Sequence, residues 1–135
     1  MAKILLIDDD DQVVKLIALW LSKAGYEVEC ACDGEQGRRV LEKERVDLIV
    51  TDIVMPEEDG LEAIPLIRKM NKTVPIIAMS GGGRDGPDLY LQMALALGAD
   101  CALQKPFEKE QLLSTVRTCL SKTIPVIDDT APNLP

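Results

Sequence analysis

In Ile4-Leu5-Leu6-Ile7-Asp8-Asp9-Asp10-Asp11, four consecutive aliphatic residues stop abruptly at four carboxylates. An unbroken aliphatic run of this length marks a strand covered on both faces, as in a parallel sheet with helices on either side. Residues 48–50 and 76–79 repeat the pattern, and weaker strands are expected over Glu27–Ala31 and Cys101–Gln104. Between them, Val13, Leu16, Ile17, Trp20, Leu21 and Ala24 recur at helical spacing, and Gly25 ends that helix. Leu89, Met93, Ala94 and Leu97 form another such stripe, closed by Gly98, and Leu112, Leu113, Val116, Cys119 and Leu120 form a third. Weaker helices are expected over Gly34–Lys43 and residues 61–70. Strict alternation of five strands and five helices predicts an α/β domain. Right-handed crossovers and short connections leave the doubly wound parallel order 2-1-3-4-5 as the leading topology.

The chain has 135 residues, enough for one domain with a sizeable core, expected over residues 1–121. Residues 122–135 carry Pro125, Pro132 and Pro135 without helical period and read as a tail or the start of a linker. No apolar run reaches membrane-spanning length, and Met1-Ala2-Lys3 before residues 4–7 is no secretory leader. A cytoplasmic protein is therefore expected. The net charge of −8 and the lack of any Lys/Arg block argue against direct nucleic-acid binding. With no histidine in the chain, Ser–His and Cys–His catalysis are excluded, and a metal site must use oxygen or thiolate ligands. Cys30, Cys32, Cys101 and Cys119 form no CxxC pair and read as reduced, buried residues, Cys30 and Cys32 sharing one face of a strand.

Ligands of doubly wound sheets bind beyond the carboxyl ends of the strands, where this chain places its reactive groups. Strand one runs into Asp8 and Asp9, and strand three ends in Thr51-Asp52. Their adjacency should bring Asp8, Asp9 and Asp52 together, and three like charges in one crevice need compensation. Mg²⁺ suits such a set of hard oxygen ligands. Asp10 or Asp11 instead reads as the cap of the next helix. Strand four ends in Met79-Ser80-Gly81, offering a hydroxyl. Lys105, followed by Pro106 and Phe107, can reach back to the carboxylates, and the Lys105–Pro106 bond is a candidate for cis. A carboxylate nucleophile, a cation site, an ammonium and a hydroxyl around one point suit phosphoryl transfer, which depends on positioning and charge neutralisation.

On Ile7-Asp8-Asp9-Asp10, the segment from Asp52 to Gly60, Ser80-Gly81, Gly98-Ala99-Asp100 and Lys105-Pro106-Phe107, residues 2–121 resemble the receiver domains of two-component response regulators. The resemblance implies a flavodoxin-like fold and phosphorylation of Asp52 by a histidine kinase or histidine phosphotransfer protein. It implies Mg²⁺ held by Asp8, Asp9, Asp52 and the Val54 carbonyl, with Ser80 and Lys105 on the phosphoryl oxygens. It also implies a signal carried by the face of the fourth helix, fifth strand and fifth helix, which can serve as a homodimer surface. The downstream target or output domain is not named by the sequence.

Three departures stand out. Ala102 occupies the place of the aromatic switch residue that would pair with Ser80, so the signal is expected to travel by backbone or loop rearrangement. The loop from Gly81 to Pro87 is glycine-rich and is the expected mobile element. Pro65 should kink or delay the third helix. Val54 and Gly82 stand at positions that in some receivers orient the hydrolytic water; neither side chain can do so, and the resemblance then implies slow loss of the phosphoryl group. Two other readings are a receiver that no longer takes phosphate and an Asp-nucleophile phosphatase. The phosphatase motif needs a second Asp where the chain has Val54, so no turnover enzyme is expected.

Overall fold

The computed structural model describes residues 1–53, 60–81 and 89–122. Five strands, β1 (Lys3–Ile7), β2 (Glu27–Ala31), β3 (Leu48–Asp52), β4 (Ile76–Ser80) and β5 (Cys101–Gln104), alternate with five helices. These are α1 (Asp11–Lys23), α2 (Gly34–Lys43), α3 (Gly60–Met70), α4 (Leu89–Leu97) and α5 (Lys109–Lys122). The strands form one parallel sheet in the order β2-β1-β3-β4-β5, as the sequence predicted.

Alternation along the strands divides the core into two layers. Leu5, Ile7, Ile49, Ile76 and Ala78 pack with Ala63, Ile64 and Ile67 of α3 and with Leu91 and Ala94 of α4. Ile4, Leu6, Leu48, Val50, Ile77 and Met79 pack against Ile17 and Leu21 of α1 and against Leu112, Val116 and Cys119 of α5. All five residues of both β3 and β4 are buried, which explains why those runs carry no polar alternation.

Local signals set the helix ends. Asp10 caps α1, its carboxylate accepting from the amides of Gln12 and Val13. Asp33 caps α2 by accepting from Gln36 N. Gly25 (φ 99°) and Gly98 (φ 127°) take the left-handed conformation that ends α1 and α4. In each case two backbone bonds close the end: Gly25 N to Ser22 O with Tyr26 N to Leu21 O, and Gly98 N to Leu95 O with Ala99 N to Ala94 O.

Two expectations need correction. Pro65 does not delay α3, which begins five residues earlier at Gly60 and runs through it. Among the cysteines only Cys119 is buried; Cys30 and Cys32 are exposed and Cys101 is intermediate. Their strand is the edge of the sheet, paired on one side only, and Cys32 falls one residue past its end. The segment from Gly82 to Pro87 and residues 123–135 lie outside the described residues.

Candidate functional site

The register of β1 against β3 pairs Ile7 with Thr51, so Asp8 and Asp52 emerge side by side at the carboxyl edge. Both are buried, at 1% and 6% exposure, while Asp9 is exposed. One carboxylate oxygen from each of Asp8, Asp9 and Asp52 lies within 4.8 Å of the others. The strand order places β4 beside β3, with Asp52 opposite Met79, and Ser80 at its end fully buried.

Lys105 reaches the same point from β5. Its Nζ lies 2.8 Å from Asp8 Oδ2 and 3.6 Å from Asp52 Oδ1. Its amide donates to the Ser80 carbonyl at 2.8 Å, and the Lys105–Pro106 bond is cis, as the sequence allowed. The other oxygen of Asp8 accepts from the Asp10 amide at 3.0 Å. Burial works to lower the Lys105 pKa, but the hydrogen bond to Asp8 and the charges of Asp52 and Asp8 outweigh it and hold the ammonium above its ordinary value.

The charge balance leaves room for a cation. Three carboxylates face one ammonium, and a purely oxygen donor set favours a hard divalent ion. The residues present therefore fit Mg²⁺. Ser80 stands at the end of the strand beside Asp52 and is fully buried. Ala102 belongs elsewhere: it pairs with Ala78 inside the sheet and packs against the α3–α4 layer. Val54, whose carbonyl was expected among the ligands, lies outside the described residues, as does Gly82.

One feature escaped the sequence. Val13, Leu16, Ile17 and Trp20 of α1, with Gly81, Pro106 and Phe107, line an apolar groove of about 390 Å³ that opens beside Lys105. The α1 stripe was legible only as core, although Leu16 is 47% exposed. Its width on the outer side was the available signal.

A doubly wound sheet that gathers three aspartates and a lysine at its switch point defines the class, an α/β domain with an acidic pocket fit for a cation. The family model for the response regulator receiver domain matches residues 4–117, and the chain belongs to that family. It is 35% identical over 128 residues to the transcriptional regulatory protein GlrR of Escherichia coli, covering 95% of this chain and 28% of that protein. It is 32% identical over 121 residues to the alkaline phosphatase synthesis transcriptional regulatory protein PhoP of Bacillus subtilis, covering 90% of this chain and 49% of that one. The chain thus spans about half or less of these curated relatives.

Solved structures match it nearly end to end. The chemotaxis response regulator CheY4 of Vibrio cholerae superposes with a TM-score of 0.80 at 34% identity, over 88% of this chain and 98% of that one. A putative response regulator from Chloroflexus aurantiacus gives 0.83 at 31%, over 89% and 98%. Among the described residues no helix is long and apolar enough to cross a membrane.

Proposed function

We propose that this receiver domain takes a phosphoryl group on Asp52 from a phosphohistidine of a histidine kinase or phosphotransfer protein, in a Mg²⁺-dependent reaction. The observation that carries the proposal is the convergence of Asp8, Asp9 and Asp52 around a point that Lys105 also reaches.

An Asp52 carboxylate oxygen attacks phosphorus as the P–N bond of the donor breaks, and the imidazole leaves with the electron pair. The products are an acyl phosphate and a free histidine. Asp8, Asp9 and Asp52 would hold Mg²⁺, which supplies positive charge to the phosphoryl oxygens. Lys105 neutralises further charge, and leaves Asp8 to do so. Ser80 donates its hydroxyl to a phosphoryl oxygen. The burial of Asp8 and Asp52 supports strong electrostatic terms, because charges interact more strongly away from water.

The groove beside Lys105 offers the donor protein an apolar docking place next to Asp52. On the output side, α4 exposes Leu89, Tyr90, Met93, Leu95 and Leu97. That apolar surface supports a role for the α4–β5–α5 face in protein contacts, a homodimer included. The new dianion on Asp52 favours whichever arrangement pairs it best. With a net charge of −8, the domain itself is read as a protein-interaction module that binds no nucleic acid directly, and its family membership supports a cytoplasmic location.

Intact-mass measurement after incubation with acetyl phosphate and Mg²⁺ tests the proposal. One added phosphoryl group is expected, absent in Asp52→Asn and absent without the metal. A wild-type chain that gains no mass would overturn it.

A further inference from the structure

Two thiols that the proposed reaction does not use stand beside the acidic pocket. Cys30 is the last but one residue of β2, and Cys32 follows one residue past its end. Both are exposed, and no hydrogen bond ties either sulfur to another of the described residues. Ala31 between them turns inward, buried in the layer that holds Ile7 and Val40. Val28, two residues before Cys30, packs into the opposite layer. Alternation therefore puts Cys30 and Cys32 together on the side that Ala31 does not face.

The backbone between the thiols is also what holds Asp8. Ala31 pairs with Ile7 in the register of β1 and β2, and its carbonyl accepts from the Asp8 amide at 3.1 Å. The Cys32 amide donates to Gln36 Oε1, in the first turn of α2, at 3.1 Å. Two residues of extended chain span about 6.6 Å. Disulfides most often join Cα atoms about 5.5–6 Å apart and seldom reach beyond about 6.8 Å. Bonding the two sulfurs draws the chain in by up to about 1 Å, so the peptide at Ala31 must tilt and its bond from Asp8 weakens. Burial and the neighbouring Glu29 carboxylate push the Cys30 thiol up, which keeps it protonated and leaves the first attack on an oxidant to Cys32.

We propose that Cys30 and Cys32 are a redox pair whose disulfide loosens Asp8 and so shuts the acidic pocket to phosphoryl uptake. The oxidant is hydrogen peroxide. The Cys32 thiolate attacks one peroxide oxygen, the O–O bond breaks, and the other oxygen takes a proton and leaves as water. The Cys30 thiolate then attacks the sulfur of the Cys32 sulfenic acid. The S–S bond forms, and the hydroxyl takes a proton and leaves as a second water. Two thiols lose two electrons, and the peroxide gains them. A dithiol reductant reverses the change by thiol–disulfide exchange. The pair itself stands on the geometry of β2; its effect on phosphoryl uptake rests on the reading of Asp52 as the acceptor.

Limiting hydrogen peroxide on the full chain tests it. Trypsin cuts after Lys23 and Arg38, so the peptide of residues 24–38 holds both thiols and no other cysteine. In the wild type that peptide should lose two hydrogens, and dithiothreitol should restore them. Neither Cys30→Ser nor Cys32→Ser should show the loss. Hydrogen exchange followed by NMR should find the Asp8 amide exchanging severalfold faster in the oxidised chain. Uptake from acetyl phosphate and Mg²⁺ should slow severalfold on oxidation, and peroxide should leave it unchanged in Cys32→Ser.

A peptide that keeps both thiols, gains two oxygens as a sulfinic acid, or is found only in a disulfide between two chains would overturn the pair. A disulfide that leaves Asp8 exchange as it was would overturn the coupling, as would unchanged uptake in a chain that is phosphorylated when reduced. If the reduced wild type takes up no phosphoryl group, the reading of Asp52 fails, and the pair is decided by peptide mass and Asp8 exchange.

Discussion

Asp8 divides its two carboxylate oxygens between the Asp10 amide and the Lys105 ammonium. A metal ion approaching this carboxylate meets the lysine's charge at short range. Unit charges about 4 Å apart repel by roughly 1 kcal/mol in bulk water and about 4 kcal/mol near a protein surface. Lys105→Met should therefore raise Mg²⁺ affinity by about tenfold or more in a calorimetric titration, while impairing phosphoryl uptake. Unchanged or weaker Mg²⁺ binding would contradict the placement of the ammonium in the metal pocket. The same contacts hold the folded-state pKa of Lys105 above its ordinary value of 10.5. A raised folded pKa contributes stability that is complete below pH 10.5 and lost as pH rises through the folded value. Alkaline denaturation of Lys105→Met should lack that step, and curves identical to wild type would count against it.

At the scale of the elements, α1 and α4 end in the same motif with different surroundings. A Cβ on Gly25 meets nothing within 4 Å, whereas one on Gly98 meets Arg68 Cγ at 3.2 Å and Nε at 3.3 Å. Gly25→Ala should cost only the backbone strain, about 1 kcal/mol. Gly98→Ala should cost more, about 2–3 kcal/mol, because it also displaces the Arg68 side chain, whose guanidinium donates to the Gly98 and Val74 carbonyls. Urea unfolding measures both, and equal losses would contradict the contact. These glycines were legible in the sequence because each follows a completed apolar stripe. The strands were legible because their aliphatic runs are short and bounded by turn or acidic residues. Pro65 misled in part: α3 begins at Gly60, five residues before it, so the proline sits inside the helix rather than at its start. The contacts of Arg68 were invisible, since most of its acceptors are the backbone carbonyls of Gly98, Asn71 and Val74, brought together only by the folded α3 and α4 ends.

For the molecule as a whole, the sheet places its opposing requirements at one edge. Two apolar layers bury β1 and β3 almost completely, and burial extends to Asp8, just past β1, and to Asp52 at the end of β3. The sequence disclosed this pocket because aspartates directly after buried strands have no packing reason to be there. It did not disclose the groove beside Lys105, since exposure on the outer flank of α1 depends on how far α1 and the segment after β5 stand apart. On the proposed reading, a cation that relieves the repulsion among the carboxylates should add to stability. Mg²⁺ at a hundredfold excess over its dissociation constant should stabilise the domain by about 2.7 kcal/mol, read as a higher thermal midpoint. Asp8→Asn and Asp52→Asn should each respond less. A midpoint that Mg²⁺ leaves unmoved in the wild type would remove the metal from the pocket. The most direct test concerns Asp52 itself. After acetyl phosphate and Mg²⁺, borohydride should reduce the acyl phosphate to homoserine, which peptide sequencing by mass spectrometry should find at position 52 alone. Homoserine at position 8 or 9, or at none, would contradict Asp52 as the acceptor.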